Sequence, residues 1–316
     1  MSWLQIVLIA YFILSITNLV DKIFLSTIVA KSVVYMLWVN VLSVVVVLGF
    51  VLVAILYQAS GGEIGSLGAL TWMTPWFIGV AVLAGIFFTL AIYFLYSGLQ
   101  SGEASRVVPL IGGSIPVFTY CMTFWYAPLD GRTLLAFVIL ISGTVLISLM
   151  PSATGIARAR RDAKPVFYAL GSSLSFAALF VVTQYIFYAH GFINGVVWPR
   201  LGAAIAIAVV LAKPEVQRAL RESFSGISGK QRAVWFTNQG FNAVGFLGQL
   251  YAISLPGVSV ALVTALLGVQ YSFVLIFATL LSLRMPTLLH EKVSSRTIIQ
   301  KICAIILIAF GLYLVS

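Results

Sequence analysis

Long apolar stretches alternate with short polar connections along the whole chain. Most of the apolar stretches are about 18–25 residues long, enough for a helix to cross a hydrocarbon core of about 30 Å. Strands of a membrane barrel would instead be segments of about ten residues with alternating polarity. The pattern predicts ten helical spans, at residues 3–21, 32–57, 74–98, 104–127, 133–151, 165–188, 192–212, 232–253, 257–283 and 297–315.

The composition is that of an integral membrane protein. Of the 316 residues, 61% are hydrophobic and 8% are charged, against about 45–50% and about 25% in a soluble domain. The two cysteines, Cys121 and Cys303, fall inside predicted spans, which is typical of small core residues and not of a disulfide framework or a metal cluster. We therefore predict an all-α integral membrane protein with no metal and no cofactor.

A weak internal repeat divides the chain into two halves. A shift of 155 residues aligns residues 94–118 with residues 249–273 and keeps the order of the spans. We therefore predict two five-helix repeats, residues 1–155 and 156–316, that form one transmembrane unit. Because five is an odd number, the two repeats must have opposite orientations, a plan that recurs in secondary transporters.

Lysines and arginines concentrate in the odd-numbered connections between spans and in their flanks. Of the 18 in the chain, only Arg132 and Arg200 lie elsewhere. By the positive-inside rule the odd connections are cytoplasmic, which places both termini on the non-cytoplasmic side of an inner or plasma membrane. Topology thus accounts for the net charge of +10, and we predict lipid contact and no nucleic-acid partner.

The fourth predicted span contains residues that weaken a helix: Pro109, Gly112, Gly113 and Pro116. The two prolines are seven residues apart and fall on nearly the same helix face. Since lipid offers no donor to a carbonyl that a proline has freed, this face must look onto a neighbouring helix or a wet cavity. Two interpretations follow, a helix break that gates a cavity and a kinked, small-residue packing seam.

Polar side chains recur at spacings of four, three and four residues in spans three and eight, so each set lies on one helix face. One interpretation is a central cavity shared by the two halves, with tyrosines and amides as substrate ligands. The other is hydrogen bonding between helices, worth about 0.6 kcal/mol per contact. The two sets are Thr89, Tyr93, Tyr96 and Gln100, and Asn238, Asn242, Gly245 and Gln249.

Few charged residues are near the predicted spans. Arg200 lies well inside the seventh span, where it needs a partner, a route to the interface or water. A substrate anion and Asp21 are the candidate partners. Asp21 and Lys22 end the first span, and no acidic residue lies near the middle of any span, so carboxylate-based proton coupling has no predicted site. The lack of such a site favours exchange or facilitated movement of a substrate over carboxylate-based proton coupling.

Motifs of other functional classes are missing from the sequence. It contains no phosphate-binding G-x-x-x-x-G-K-[ST] loop and no H-E-x-x-H or G-x-S-x-G motif. We therefore predict a protein that is not an enzyme, with a small molecule as its partner. A membrane-embedded enzyme or scaffold that uses the same bundle without transport is the alternative. The oligomeric state is open.

The ten spans, the run at residues 98–119 and the closing run at residues 290–315 resemble the drug/metabolite transporter superfamily, in its EamA-type branch. The resemblance covers essentially the whole chain. It implies alternating access around a central site lined by the first, third and fourth helices of each half. It also implies small polar or anionic substrates, such as amino acids, sugars or nucleotide sugars.

The same resemblance implies roles for individual residues. Lys22 matches a lysine that often ends the family's first helix. Arg200 matches an arginine of the second helix of a half, with Asn40 as its counterpart in the first half. The turns before the last helix of each half, Asp130-Gly131-Arg132 and Glu291-Lys292, depart from the family's Gly-Glu order. Most relatives have cytoplasmic termini, opposite to the orientation that the charge bias predicts.

Overall fold

The structure is a computed structural model, and it describes residues 2–28, 31–61, 70–101, 104–148, 163–225, 227–284 and 295–315. Every regular element within these ranges is a helix. The helices are α1 (Trp3–Thr27), α2 (Ser32–Ala59), α3 (Pro75–Ser101), α4 (Ala104–Thr123), α5 (Gly131–Ser148), α6 (Ala163–Val197), α7 (Pro199–Leu211), α8 (Pro214–Ser225), α9 (Gly229–Ser254), α10 (Val260–Ala265), α11 (Leu267–Arg284) and α12 (Ser295–Val315). The all-helical class predicted from the sequence is confirmed for the described residues.

Several helices have the length and apolar character of membrane spans. In the described part of the chain, four are long and apolar enough to cross a membrane: Trp3–Leu25, Ser32–Ala59, Pro75–Ser101 and Ala163–Val197. Shorter apolar helices accompany them. Large apolar side chains on the outer face of α2, such as Leu52, Val53 and Leu56, are 59–64% exposed, which suits contact with lipid and not with water.

The predicted helix boundaries need two corrections, at the end of the first helix and in the connection after the seventh span. The first helix continues to Thr27, six residues beyond the predicted end of its span. The connection predicted between spans seven and eight contains α8, a short helix whose apolar side, including Val216 and Leu220, packs against the core. Gly191 interrupts α6 with φ 79°, a left-handed conformation that glycine adopts without a Cβ clash. This interruption lies between the predicted sixth and seventh spans.

Of the two interpretations of the fourth span, the structure does not show the helix break. The backbone of α4 is helical from Ala104 to Thr123, through both prolines. A Cβ at Gly112 would overlap the ring of Tyr271, and one at Gly113 would lie 3.3 Å from Val145 Cγ2. The glycines therefore let neighbouring helices approach closely, as in the packing-seam interpretation. Prolines are tolerated in membrane helices where neighbours satisfy the backbone groups they free.

A break is present instead in the second half, at Leu266 between α10 and α11. Where the helix is interrupted, the carbonyl oxygen of Val263 accepts a hydrogen bond of 2.7 Å from the hydroxyl of Tyr11 in α1. In the first half, the carbonyl of Ile111 in α4 accepts a bond of 3.2 Å from Ser173 in α6. Hydroxyl groups of neighbouring helices thus reach the backbone of both helices.

Contacts between the helices follow a reciprocal pattern. α1 packs along α9, and α6 packs along α3, while α5 packs along α12. In the last pair, a Cβ at Gly143 would lie 2.7 Å from Ile308 Cγ1, and one at Gly311 would lie 2.8 Å from Leu140 Cγ. A shift of 168 residues takes Leu140 to Ile308 and Gly143 to Gly311, so the two contacts are equivalent in the two halves. Each glycine thus packs against a large side chain of the other helix: Gly143 against Ile308, and Gly311 against Leu140.

Asp130 fixes the start of α5. Its carbonyl oxygen accepts a hydrogen bond of 2.7 Å from the N–H of Leu134. The side chain of Thr133 donates to its carboxylate, and this hydrogen bond lowers the pKa of Asp130. The turn singled out before the fifth helix is therefore a helix cap. Its counterpart at Glu291 and Lys292, and the basic connection at residues 151–162, lie outside the described residues.

Candidate functional site

A small cavity lies where α3, α6, α7 and α9 meet. Gly85 and Phe88 line it from the first half of the chain, and every other lining residue comes from the second half. It has room for about one water molecule. The lining residues are Gly85, Phe88, Leu179, Thr183, Gly195, Val196, Pro199, Arg200, Phe246 and Leu250.

Arg200 is the charged group of this cavity. Its side chain is partly buried, and its guanidinium carbon lies 4.7 Å from the centroid of the Phe88 ring. This cation–π contact is worth about 0.5–2 kcal/mol. The buried Nε atom has no hydrogen-bond partner, and Arg200 forms no ion pair with any described residue. The cavity therefore holds a cation that the described part of the protein does not neutralise.

Thr183 is a second polar residue of the cavity without a partner. Its side chain is 2% exposed, and its Oγ1 atom forms no hydrogen bond. A buried hydroxyl without a partner costs about 1–3 kcal/mol. An anion in the cavity would give both Arg200 and Thr183 the partner they lack. The sequence analysis did not single out Thr183, because a lone threonine in an apolar span has no distinguishing pattern.

Aromatic rings close the cavity on one side. The rings of Phe88 and Phe246 lie 5.7 Å apart, and those of Phe180 and Phe246 lie 6.4 Å apart. Glycines let the backbone approach here: a Cβ at Gly85 would overlap the carbonyl oxygen of Pro199, and one at Gly202 would overlap that of Val82. The close contact of α3 with α7 thus fixes the position of the segment that carries Arg200.

The predicted polar stripe of α9 faces α1 and does not line the cavity. Gln249 donates a hydrogen bond of 3.3 Å from Nε2 to the hydroxyl of Tyr11, and a Cβ at Gly245 would lie 2.8 Å from Leu14 Cγ. Asn242 is partly buried on the same helix and is not among the cavity residues. The stripe has the contacts expected of interhelical hydrogen bonding.

The predicted polar stripe of α3 also contacts other helices. Thr89 donates a hydrogen bond of 3.3 Å to Oδ1 of Asn40, and Gln100 accepts one of 3.3 Å from the N–H of Ser32. Tyr93 is partly buried, and its ring lies 5.5 Å from that of Phe94. The two stripes therefore do not face one shared cavity in this structure.

The two stripes do meet at one residue, Asp21. Its Oδ1 accepts hydrogen bonds from Tyr35 Oη (2.6 Å), Asn238 Nδ2 (2.7 Å) and Gln239 Nε2 (3.0 Å). Tyr96 of α3 also donates to this carboxylate. Asp21 is thus the partner of neutral donors and does not pair with Arg200.

The sequence analysis failed to recognise Asp21 as an interior acid. The first span was predicted to end at Asp21, but α1 continues to Thr27, which leaves Asp21 about 9 Å from the end of the helix. Its side chain is 5% exposed. Asp21 is therefore a buried acid inside α1 and not an acid at the end of a span. Lys22 lies beside Asp21 in α1 and is partly buried.

Comparisons with known proteins support the fold alone. No protein-family model matches the chain, and no curated protein matches it. Among solved structures, one described only as "Crystal structure of protein" is similar, with a TM-score of 0.60 and 14% sequence identity over 99% of this chain and 95% of that chain. At this identity the similarity indicates a shared arrangement of helices and carries no information on function.

Proposed function

We propose that this protein is a secondary transporter that moves a small polar or anionic metabolite by alternating access. The observation that carries the proposal is the cavity, where Arg200 and Thr183 have polar atoms without protein partners. An unneutralised cation within a membrane bundle is costly unless it meets a ligand or water. Ionisable residues inside membrane proteins mark substrate or ion pathways, proton relays, voltage sensors and counter-ions of bound ligands.

Reciprocal packing supports an arrangement of ten spans as two inverted five-helix repeats. The first helix of each half, α1 or α6, packs on the third helix of the other half, α9 or α3. The fifth helices, α5 and α12, meet through the exchanged glycine contacts. Inverted repeats of this kind let one half rock against the other around a central site. The resemblance to the EamA-type branch agrees with this proposal.

The chemistry of the cavity favours an anionic group on the substrate. A guanidinium binds carboxylate or phosphate oxygens through parallel hydrogen bonds, and the hydroxyl of Thr183 can donate a further one. Binding sites for small molecules measure about 300–1,000 Å³, far more than a cavity for about one water molecule. We therefore propose that the helices separate before a metabolite enters and that the arrangement described here is a closed state.

Counterflow in proteoliposomes tests the proposal. Vesicles with the purified protein are loaded with unlabelled solute, and entry of the same labelled solute is measured. The probes are aspartate, serine, glucose, glucose 6-phosphate and UDP-glucose. We expect saturable exchange of at least one anionic probe. No exchange of any probe by correctly folded protein would contradict transport of these classes and would favour a membrane-embedded enzyme or scaffold.

We also propose that both termini lie on the non-cytoplasmic side, because lysines and arginines favour cytoplasmic connections. Ala212 and Pro128 are exposed residues in an odd and an even connection. In a background where Cys121 and Cys303 are serine, a membrane-impermeant maleimide applied to intact cells should label Pro128→Cys and spare Ala212→Cys. The reverse labelling pattern would refute the orientation.

A further inference from the structure

The carboxylate of Asp21 ties the first half of the chain to the second. Tyr35 of α2 and Tyr96 of α3 donate to it from the first half, and Asn238 and Gln239 of α9 donate from the second. Asn238 Nδ2 also lies 3.3 Å from the carbonyl oxygen of Thr17 in α1. One charged group thus joins α1, α2, α3 and α9.

A proton on Asp21 weakens this network. The charged carboxylate only accepts hydrogen bonds, and it accepts them here from two phenols and two amides. A proton taken from water makes the group neutral and turns one of its oxygens into a donor. The hydrogen bonds from Tyr35, Asn238 and Gln239 all end on Oδ1, so the proton occupies Oδ2. The donors then bind a neutral oxygen, and because a hydrogen bond to a charged acceptor is about twice as strong as one to a neutral acceptor, protonation loosens the connection to α9.

Neighbouring groups do not replace Asp21 in this titration. The facing ionisable groups are the phenols of Tyr35 on α2 and Tyr96 on α3, which keep their protons at neutral pH because a free tyrosine titrates near about pH 10. From α9 the facing groups are amides. Lys22, the next residue in α1, is a base and is partly buried.

The Asp21 network and the Arg200 cavity lie along the same helix, α9. Asn238 and Leu250 lie on the same helix, and twelve residues correspond to about 18 Å along its axis. Leu250 lines the cavity, and Asn238 binds Asp21. The rings of Trp38 and Trp235 pack beside the network, 5.4 Å apart. Separation of α9 from α1, α2 and α3 would open the bundle at this end.

We propose that Asp21 is a proton-binding site, and that protonation releases α9 and opens the Arg200 cavity toward the odd-numbered connections. The coupling of protons to solute movement rests on the proposed transport function, whereas proton binding itself does not. The carboxylate holds the closed arrangement when charged, and the neutral acid permits the open one. Proton binding by Asp21 therefore disfavours the closed arrangement, and the closed arrangement disfavours proton binding.

Tryptophan fluorescence of the full-length protein tests the proton site without any solute, because Trp38 and Trp235 adjoin the network. Between about pH 4 and pH 9, which spans carboxylate titration, we expect one reversible transition. Asp21→Asn, which is neutral at every pH, should lack the transition and resemble the wild-type protein at low pH. Glu215→Gln, at an exposed acid of α8, should keep it. Trp38→Phe should reduce its amplitude.

A milder variant keeps the proposal testable if Asp21→Asn does not fold. Tyr35→Phe removes one donor at nearly constant volume, and the transition should move to higher pH by about one unit, because the charged carboxylate loses a hydrogen bond. A wild-type protein without a transition would overturn the proposal. So would a transition that Asp21→Asn retains, or a folded Tyr35→Phe protein with an unshifted midpoint.

Flux measurements separate this proposal from the transport proposal. With a probe that the wild-type protein exchanges in counterflow, an imposed pH gradient should drive accumulation by the wild-type protein. Asp21→Asn should keep the exchange and lose the accumulation. Counterflow without any response to the gradient would overturn the coupling and leave transport intact. A missing counterflow would overturn transport, while the fluorescence titration would still decide whether Asp21 binds a proton.

Discussion

Arg200→Met is expected to stabilise the folded protein and to abolish its stabilisation by an anionic solute. Methionine is similar in length and removes a partly buried cation whose Nε atom has no hydrogen-bond partner, so the cost of desolvating the charge disappears. The lost cation–π contact with Phe88 offsets part of this gain. We expect the free energy of unfolding to rise by about 1–2 kcal/mol, measured as an increase in thermal unfolding temperature in detergent.

The same experiment with the exchanged solute present provides the second readout. A solute at about one hundred times its Kd stabilises a protein by about 2.7 kcal/mol, and the Arg200→Met protein should lose this increment. Arg132→Met is the matched control, because Arg132 is an exposed arginine at the start of α5, and it should behave as the wild-type protein does. A strongly destabilised Arg200→Met protein would mean that Arg200 has a structural partner.

Gly85→Ala is expected to be the most destabilising single-methyl substitution in α3. The added Cβ would overlap the carbonyl oxygen of Pro199 and lie 2.9 Å from the Cα atom of Gly202. Both are backbone atoms, so relief requires α7 to move away from α3. Overpacking of this kind costs about 1–3 kcal/mol and more where backbone must shift. The displaced segment also carries Arg200, so exchange should fall together with stability.

Gly79→Ala is the control for this substitution on the same helix. A Cβ at Gly79 would meet no atom within 4 Å, and alanine favours a helix over glycine by about 1 kcal/mol. The folded yield and unfolding temperature of Gly79→Ala should therefore equal or exceed those of the wild-type protein. If Gly85→Ala proved as stable as Gly79→Ala, the close contact of α3 with α7 would be absent from the purified protein.

The helical class and the approximate positions of the helices could be predicted because they depend on the mean hydropathy of a whole span and not on single residues. In the bilayer only helices and closed barrels satisfy the backbone, so long apolar runs leave little choice. Exact ends were harder to predict. Asp21 marked an apparent end of the first span, yet α1 continues for six residues, since a buried carboxylate can be satisfied by donors from other helices.

The packing of individual residues could not be predicted from periodicity. The stripe with Asn238 and Gln249 was correctly placed on one face of its helix, but periodicity does not say which neighbour covers that face. It is covered by α1. The glycines of α4 are a similar case, because Gly112 adjoins Tyr271, a contact between residues far apart in the sequence. Arg200 was recognisable because a charge in an apolar span is rare.

The central claim is that a metabolite passes through the Arg200 cavity, and counterflow by wild-type and Arg200→Met protein in parallel proteoliposomes tests it most directly. Equal amounts of folded protein are reconstituted, and the probe is the anion that the wild-type protein exchanges. We expect the initial rate to fall by about one hundredfold in Arg200→Met, because losing a charged hydrogen-bond partner costs about 2–5 kcal/mol. Exchange at the wild-type rate and affinity by folded Arg200→Met protein would contradict the account.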